Sequence, residues 1–180
     1  LGNGAGGFQA QTNDIFLPSA PSGLQTGDFF GDGRLDLVDR LANPYEFLPL
    51  LGQGHAHVPP QATLTLGTEF GFGPAFAVEL NGDGRTDLVA GYQGPTGYIR
   101  ILHADSTGHL SEAQRVSTLV NYSDISLIDF NQDGRVDLLV TSVPDAMLHL
   151  ARADGTFENG VPVSGIELHG RLLYTDLTGD

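Results

Sequence analysis

The amino-acid sequence predicts an all-β protein built from repeated sheets of four short antiparallel strands. A nine-residue acidic segment occurs three times, beginning at residues 28, 79 and 129, and a fourth copy begins at residue 176. Short apolar stretches with the alternation of β-strands lie before and after these segments. A repeat of about fifty residues made of strand patterns indicates a repeat architecture, in which each unit is one small sheet.

The acidic segments are rich in side chains that carry oxygen. They read Asp28-Phe-Phe-Gly-Asp-Gly-Arg-Leu-Asp36, Glu79-Leu-Asn-Gly-Asp-Gly-Arg-Thr-Asp87 and Asp129-Phe-Asn-Gln-Asp-Gly-Arg-Val-Asp137, and the fourth begins Asp176-Leu-Thr-Gly-Asp180. Carboxylates this close together repel one another unless a cation lies among them. Hard oxygen ligands at alternate positions of a short loop suit Ca²⁺, and the glycine at position six gives the backbone freedom to fold around an ion.

The predicted calcium ligands are the oxygen-bearing side chains of the four segments and the main-chain carbonyls of the arginines at position seven. They are Asp28, Asp32, Arg34, Asp36, Glu79, Asn81, Asp83, Arg85, Asp87, Asp129, Asn131, Asp133, Arg135, Asp137, Asp176, Thr178 and Asp180. We expect the first site to be the weakest, because Phe30 stands where the next two segments have asparagine. Gln132 replaces a glycine at position four, where we expect no left-handed conformation.

The arginine side chains at position seven allow two interpretations. They could form a ring of cations for an acidic ligand, or they could be solvated or paired with nearby acids while their carbonyls face the ion. We favour the second interpretation.

Strands, rather than helices, flank these loops. A helix-loop-helix calcium site closes with a bidentate glutamate at position twelve, but that position holds Asp39, Ala90 and Val140. The stretches 125–129 and 137–141 around the third loop are rich in β-forming residues. The loops therefore connect two strands.

Each repeat unit contains four predicted strands. In the second unit they cover 75–79, 87–92, 98–102 and 114–119, and Gly-rich or Asp-rich turns separate them. The first strand alternates large and small apolar residues and carries no charge before Glu79. A strand of this kind is packed between neighbouring sheets, which is typical of the innermost strand in a β-propeller blade.

Composition excludes several classes of function. The chain has 22 acidic and 8 basic residues, with a formal net charge of −14, so it lacks the basic face that nucleic acids and anionic membranes require. No apolar run is long enough to span a membrane. Without cysteine, the chain has no disulfides and no thiol nucleophile. His55 and His57 give only a weak zinc signal, and we expect them to be exposed turn residues.

The motifs resemble a known family. A loop of the form Asp/Glu-x-Asn-Gly-Asp-Gly-x-x-Asp before an apolar strand, together with a turn such as Leu1-Gly-Asn-Gly-Ala-Gly-Gly-Phe8, is similar to VCBS and FG-GAP repeats. The resemblance implies a β-propeller like the head domain of integrin α chains, with Ca²⁺ between the first two strands of a blade. It also implies a secreted or cell-surface setting, which we expect to be bacterial, and a role in adhesion, protein or glycan binding, or self-assembly.

Two function classes remain open at this point. One is a non-catalytic calcium-stabilised propeller, and the other is an accessory or catalytic propeller within a larger secreted enzyme or toxin subunit. Residues 1–180 correspond to about three complete blades and two partial ones. We therefore expect a segment of one propeller, with apolar blade faces exposed at both ends unless a longer chain or other copies cover them.

Overall fold

Every regular element that the structure describes is a β-strand. The computed structural model describes residues 20–42, 45–50, 52, 64–65, 72–92, 97–118, 122, 124–142 and 145–163. Nowhere in these ranges is there a helix of the length and apolarity needed to cross a membrane. The turn predicted at 1–8, the pair His55 and His57, and the fourth acidic segment lie outside the described residues.

The strands form three antiparallel sheets of four strands each. The first sheet contains β1 (Pro21–Gly27), β2 (Asp36–Ala42), β3 (Tyr45–Leu50) and β4 (Leu64–Thr65). The second contains β5 (Phe72–Val78), β6 (Asp87–Tyr92), β7 (Tyr98–Ala104) and β8 (Leu110–Ser117). The third contains β9 (Asp124–Ile128), β10 (Asp137–Ser142), β11 (Asp145–His149) and β12 (Val161–Pro162). The predicted all-β class and the four-stranded repeat are confirmed.

Each acidic segment connects the first two strands of a sheet in the same register. The residue before the segment pairs with its ninth residue in all three sheets, as Gly27 with Asp36, Val78 with Asp87 and Ile128 with Asp137. The segments are called loop 1 (28–36), loop 2 (79–87) and loop 3 (129–137) below. Their position between paired strands confirms that they are not part of a helical calcium hand.

The sheets pack against one another through two apolar clusters. The first core cluster joins sheets one and two, and includes Phe29, Val38, Phe47, Leu88, Leu102 and Leu110. The second core cluster joins sheets two and three, and includes Val89, Ile99, Ile101, Ile125, Leu138 and Val140. Strand β5 contacts both clusters, with Phe76 and Val78 on one side and Ala75 and Ala77 on the other. Sheet two is therefore a middle layer, as its alternating large and small residues predict.

The outer faces of sheets one and three are less exposed than the sequence predicts. Leu48 and Leu50 on sheet one have exposures of 1% and 2%, and Leu139 on sheet three has 3%. Four large apolar side chains are nevertheless exposed, Leu35 at 74% and Phe130 at 52% in the loops, and Leu24 at 56% and Val161 at 54% on strands β1 and β12. Among the described residues, apolar exposure on sheets one and three is therefore confined to single side chains rather than spread over whole strand faces.

Candidate metal centres

The three loops share one backbone shape. Positions four and six have positive φ in every loop, at Gly31, Gly33, Gly82, Gly84, Gln132 and Gly134. Gln132 has a φ of 59°, so the expectation that position four of loop 3 avoids the left-handed region is wrong. The turn requires this conformation whichever residue is present, and a glutamine there costs about 1–2 kcal/mol more than a glycine.

The carboxylate at position one organises each loop. In loops 1 and 3 it accepts hydrogen bonds from the amides at positions five and six, at 3.0 and 2.8 Å for both Asp28 and Asp129. The longer Glu79 instead accepts the amides of Asn81 and Gly82, at 2.9 and 2.6 Å. The extra methylene of glutamate moves the carboxylate to a different pair of amides, so loop 2 is a variant of the same arrangement.

Position three differs between the loops. The Oδ1 atoms of Asn81 and Asn131 each accept the amide of position five at 3.0 Å, which directs an oxygen into the loop. Phe30 lies against Gly108 of sheet two, so closely that Gly108 has no room for a side chain. Phe30 is therefore a packing residue between two sheets, and loop 1 lacks an oxygen at this position.

The arginines at position seven pair with the aspartates at position five. Arg85 Nη2 lies 2.7 Å from Asp83 Oδ2, Arg135 makes the same contact with Asp133, and Arg34 is 3.9 Å from Asp32. This pairing agrees with the interpretation favoured above and leaves no ring of free cations. These ion pairs are solvent-exposed and contribute little stability. A cation bound at position five would compete with the guanidinium for the same carboxylate.

The aspartates at position nine are buried and hold the loop to the sheet. Asp87 is fully buried, and its Oδ2 accepts the amide of Leu80 at 3.2 Å while its Oδ1 accepts the amide of Ala104 at 3.0 Å. It thus joins the start of loop 2 to the end of β7. Asp36 and Asp137, with exposures of 1% and 0%, make the equivalent bonds to Gly52 and Ala151.

Sequence reasoning missed this clamp role because it treated every loop carboxylate as a ligand. The available signal was the apolar strand that begins directly after each ninth-position aspartate, since an acid there is buried and needs backbone donors. Burial raises the pKa of Asp36 and Asp87, and the bonded amides partly oppose that shift. Each carboxylate oxygen has two acceptor sites, so the clamp leaves capacity for a further ligand.

Loops 1 and 2 touch, and the structure brings their residues into one surface. The amide of Asp28 donates to Thr86 Oγ1 at 2.9 Å, and the amide of Thr86 donates to the carbonyl of Asp28 at 2.8 Å. In the part of the chain that the structure describes, no three His, Asp or Glu side chains converge on one point suited to a metal ion. Loops 2 and 3 offer asparagine and carbonyl oxygens beside their carboxylates.

Other candidate groups have structural contacts. His103 Nε2 lies 3.2 Å from the carbonyl of Gly155, and the buried His149 contacts the carbonyl of Glu158 through Nδ1 at 3.1 Å. Burial lowers the pKa of His149 and favours its neutral form. These two histidines are packed against the protein backbone.

A cleft of about 280 Å³ lies between sheets one and two. Leu24, Arg40 and Pro74 are among the residues that line it. The Arg40 guanidinium donates to the carbonyl of Gly73 at 2.7 Å and to that of Ser22 at 3.0 Å. It therefore cross-links the two sheets at the floor of the cleft.

Asp39 is a buried acid on the outer face of sheet one. Its exposure is 0%, and within the described residues neither carboxylate oxygen has a hydrogen-bond partner. Its cross-strand neighbour is Leu48, and the corresponding residues of the other two sheets are Ala90 and Val140. Burial raises the pKa of Asp39, since the charged form is poorly solvated there.

We expect Asp39→Val, which introduces the residue of the third sheet, to stabilise the protein by about 1–3 kcal/mol at pH 7. The folded state holds the Asp39 proton to higher pH than the unfolded state, whose pKa is near 3.8. The free energy of unfolding of the wild type should therefore fall as the pH rises from about 4 to the folded-state pKa of Asp39, and it should stay at the lower value above that pKa. Urea unfolding from pH 4 to 8 measures this, with Asp39→Asn as the charge-only variant. If the free energy of unfolding of Asp39→Asn had the same pH dependence as that of the wild type, the prediction would be contradicted.

Comparison with known proteins supports part of the resemblance. Residues 80–140 match the model of an FG-GAP-like repeat, a stretch that runs from loop 2 through sheet two to β10 and covers about a third of the 180 residues. A search of curated proteins found no match. The FG-GAP part of the resemblance is thus supported for residues 80–140, which include all of loop 3 and all but the first residue of loop 2.

Proposed function

We propose that this chain is part of a β-propeller-type repeat module that binds calcium in the loops between strands and acts by binding rather than by catalysis. The FG-GAP-like match and the three stacked four-stranded sheets support this proposal. Each sheet would be one blade, and residues 1–180 would form a segment of a single propeller. Blades of this kind bury both faces against their neighbours, as sheet two does.

The observation that carries the calcium proposal is the repetition of one loop shape around one carboxylate pattern. Loops 1 and 3 fold identically around Asp28 and Asp129, with oxygen-bearing side chains at the surface. The donor set of carboxylate, amide and carbonyl oxygens fits Ca²⁺, which accepts six to eight oxygens at flexible geometry, better than the strict octahedron of Mg²⁺. A bound ion would offset the mutual repulsion of the acids and fasten the first two strands together.

Loops 2 and 3 would provide the better sites. Their proposed ligands are Glu79, Asn81, Asp83, Asp87 and the Arg85 carbonyl in loop 2, and Asp129, Asn131, Asp133, Asp137 and the Arg135 carbonyl in loop 3. Asp28, Asp32, Asp36 and the Arg34 carbonyl would form a weaker site, because Phe30 packs against sheet two. The segment 176–180 would contribute Asp176, Thr178 and Asp180 to a fourth.

We place the module outside the cell or at its surface, where millimolar calcium would keep such loops occupied. Half of the acidic residues lie in the four loop segments, so bound ions would remove much of the net charge of −14. The partner would then be a protein, a glycan or another copy of the chain. It would bind a surface on which calcium neutralises much of the charge of the loop carboxylates.

Calorimetric titration of the purified chain with CaCl₂ and, separately, MgCl₂ tests the proposal. We expect dissociation constants of about 10⁻⁴–10⁻³ M for Ca²⁺, as in extracellular modules, and weaker binding of Mg²⁺. At a hundred times its dissociation constant, one site should raise the free energy of unfolding by roughly 2.7 kcal/mol. No heat of binding at millimolar calcium, with an unchanged melting temperature, would reject the calcium site.

The Asp133→Ala variant should lose one site's share of that stabilisation in calcium and little in chelator. Asp133 is an exposed loop residue whose contacts are confined to loop 3, so its removal matters mainly when an ion is bound. Asp145→Ala, an exposed aspartate outside the loops, is the matched control. Equal losses in calcium for both variants would contradict the assignment.

A further inference from the structure

Thr86 in loop 2 makes two hydrogen bonds to the first residue of loop 1. Its side-chain Oγ1 accepts the amide of Asp28 at 2.9 Å, and its own amide donates to the Asp28 carbonyl at 2.8 Å. Both main-chain polar groups of Asp28 are therefore held by one residue of the neighbouring sheet. The Asp28 side chain, in turn, is the carboxylate around which loop 1 folds.

The same contact is tight on both sides. Gly27 has no room for a side chain because the methyl and hydroxyl groups of Thr86 occupy that space. A Cβ at Gly31 would lie 2.9 Å from Arg85 Cγ, so the stem of Arg85 covers position four of loop 1. Arg85 also pairs with Asp83 of its own loop. Residues at positions seven and eight of loop 2 thus support loop 1 from outside.

The equivalent position in the other loops cannot do this. Position eight is Leu35 in loop 1 and Val136 in loop 3, and neither side chain has a hydrogen-bonding atom. Among the described residues, no backbone hydrogen bond joins Val136 to Glu79 in the way that Thr86 joins Asp28. Among the three described loops, the connection is specific to the pair formed by loops 1 and 2.

We propose that Thr86 is a positioning residue for the candidate cation site of loop 1, although it belongs to loop 2. By fixing the main chain of Asp28, it sets where the Asp28 carboxylate lies, and it makes loops 1 and 2 respond to calcium as one unit. Occupancy of either loop then raises the affinity of the other by the same factor, since such coupling is reciprocal. Loop 3 binds independently. This inference rests on the proposed calcium function.

Site-resolved titration tests the proposal. The amides of Gly33, Gly82 and Gly134 each donate to the first-position carboxylate of their own loop, so their NMR signals report each loop separately during addition of CaCl₂. We expect Thr86→Val to weaken calcium binding at loop 1 about tenfold and to remove its coupling to loop 2, with loop 3 unchanged. Thr86→Ser keeps the hydroxyl and should restore the wild-type affinity. Val136→Ala changes the same position of loop 3 without removing or adding a hydrogen-bonding atom, and it should alter neither loop 1 nor loop 2.

A second measurement needs no metal. In chelator, hydrogen exchange of the Asp28 amide should be faster in Thr86→Val than in the wild type and in Thr86→Ser, while the amide of Gly134 is unaffected. Equal weakening at all three loops, or the same loss in Thr86→Ser as in Thr86→Val, would overturn the positioning role, because packing alone would then explain it. If the wild type takes up no calcium, the proposed function and the coupling both fail. The exchange data then still decide whether Thr86 holds Asp28.

Discussion

Replacing Asp87 with alanine is expected to lower the free energy of unfolding by roughly 2–5 kcal/mol in chelator as well as in calcium. The side chain is fully buried, and its two oxygens accept the amides of Leu80 and Ala104 in the protein interior. Removing it leaves two buried N–H groups without acceptors, and each such group costs about 1–3 kcal/mol. Urea unfolding monitored by circular dichroism measures the loss.

Two variants of the same loop separate the clamp from the metal site. Asp83→Ala removes an exposed carboxylate from loop 2, and its effect should require calcium. Asp87→Asn keeps the shape of the side chain but turns one acceptor into a donor that faces an N–H. We therefore expect Asp87→Asn to lower the free energy of unfolding, but by less than Asp87→Ala. If Asp83→Ala and Asp87→Ala behaved alike, both negligible in chelator, the ninth-position aspartate would be only a ligand.

The repeat structure was predictable from the sequence because it depends on local patterns. The spacing of the loops and the strand alternation required no long-range information, and the structure confirms them in all three sheets. The large and small faces of β5 also followed from the sequence, since a strand between two sheets needs different volumes on its two sides. Phe76 and Ala77 accordingly lie in different core clusters.

The remaining features depend on contacts between units, which a repeat pattern does not contain. Phe30 looked like a missing ligand, yet its ring packs on Gly108 of the next sheet. The loop pattern predicts no role for Thr86, but this residue holds Asp28. Gln132 was misjudged for a different reason, since the preference of glutamine for negative φ is weaker than the requirement of the loop for a left-handed residue.

The acidic residues of the loops therefore divide into three groups with different physics. Position one organises the loop backbone, position five is exposed and paired with arginine, and position nine is buried and clamps two strands. A cation would stabilise the first two groups most, because their charges are the least compensated by backbone amides from the rest of the sheet. The formal net charge of −14 counts all of these residues equally, although neutralising a residue of each group would affect the loop in a different way.

In loops 1 and 2, the residue at position two packs where one sheet stacks on the next. Phe29 is fully buried in the first core cluster against sheet two, and Leu80 at 8% exposure packs in the second core cluster against sheet three. Phe130 holds the same position in loop 3 and is 52% exposed. Each unit thus presents an apolar residue to the unit that follows it, and only Phe130 lacks such burial among the three described loops.

We expect Phe29→Ala to cost about 3–5 kcal/mol, the usual range for truncating a buried phenylalanine, and Phe130→Ala to cost less than about 1 kcal/mol. Phe29→Leu, which introduces the residue of loop 2, should recover most of the loss. Denaturant unfolding of the three variants measures these differences, and sedimentation of Phe130→Ala adds a second result.

If copies of the chain, or a longer form of it, stack a further sheet on the face that carries Phe130, Phe130→Ala should weaken that association while leaving the isolated fold intact. Equal costs for Phe29→Ala and Phe130→Ala in a monomeric chain would contradict the successive stacking of sheets, because the two rings would then have the same environment.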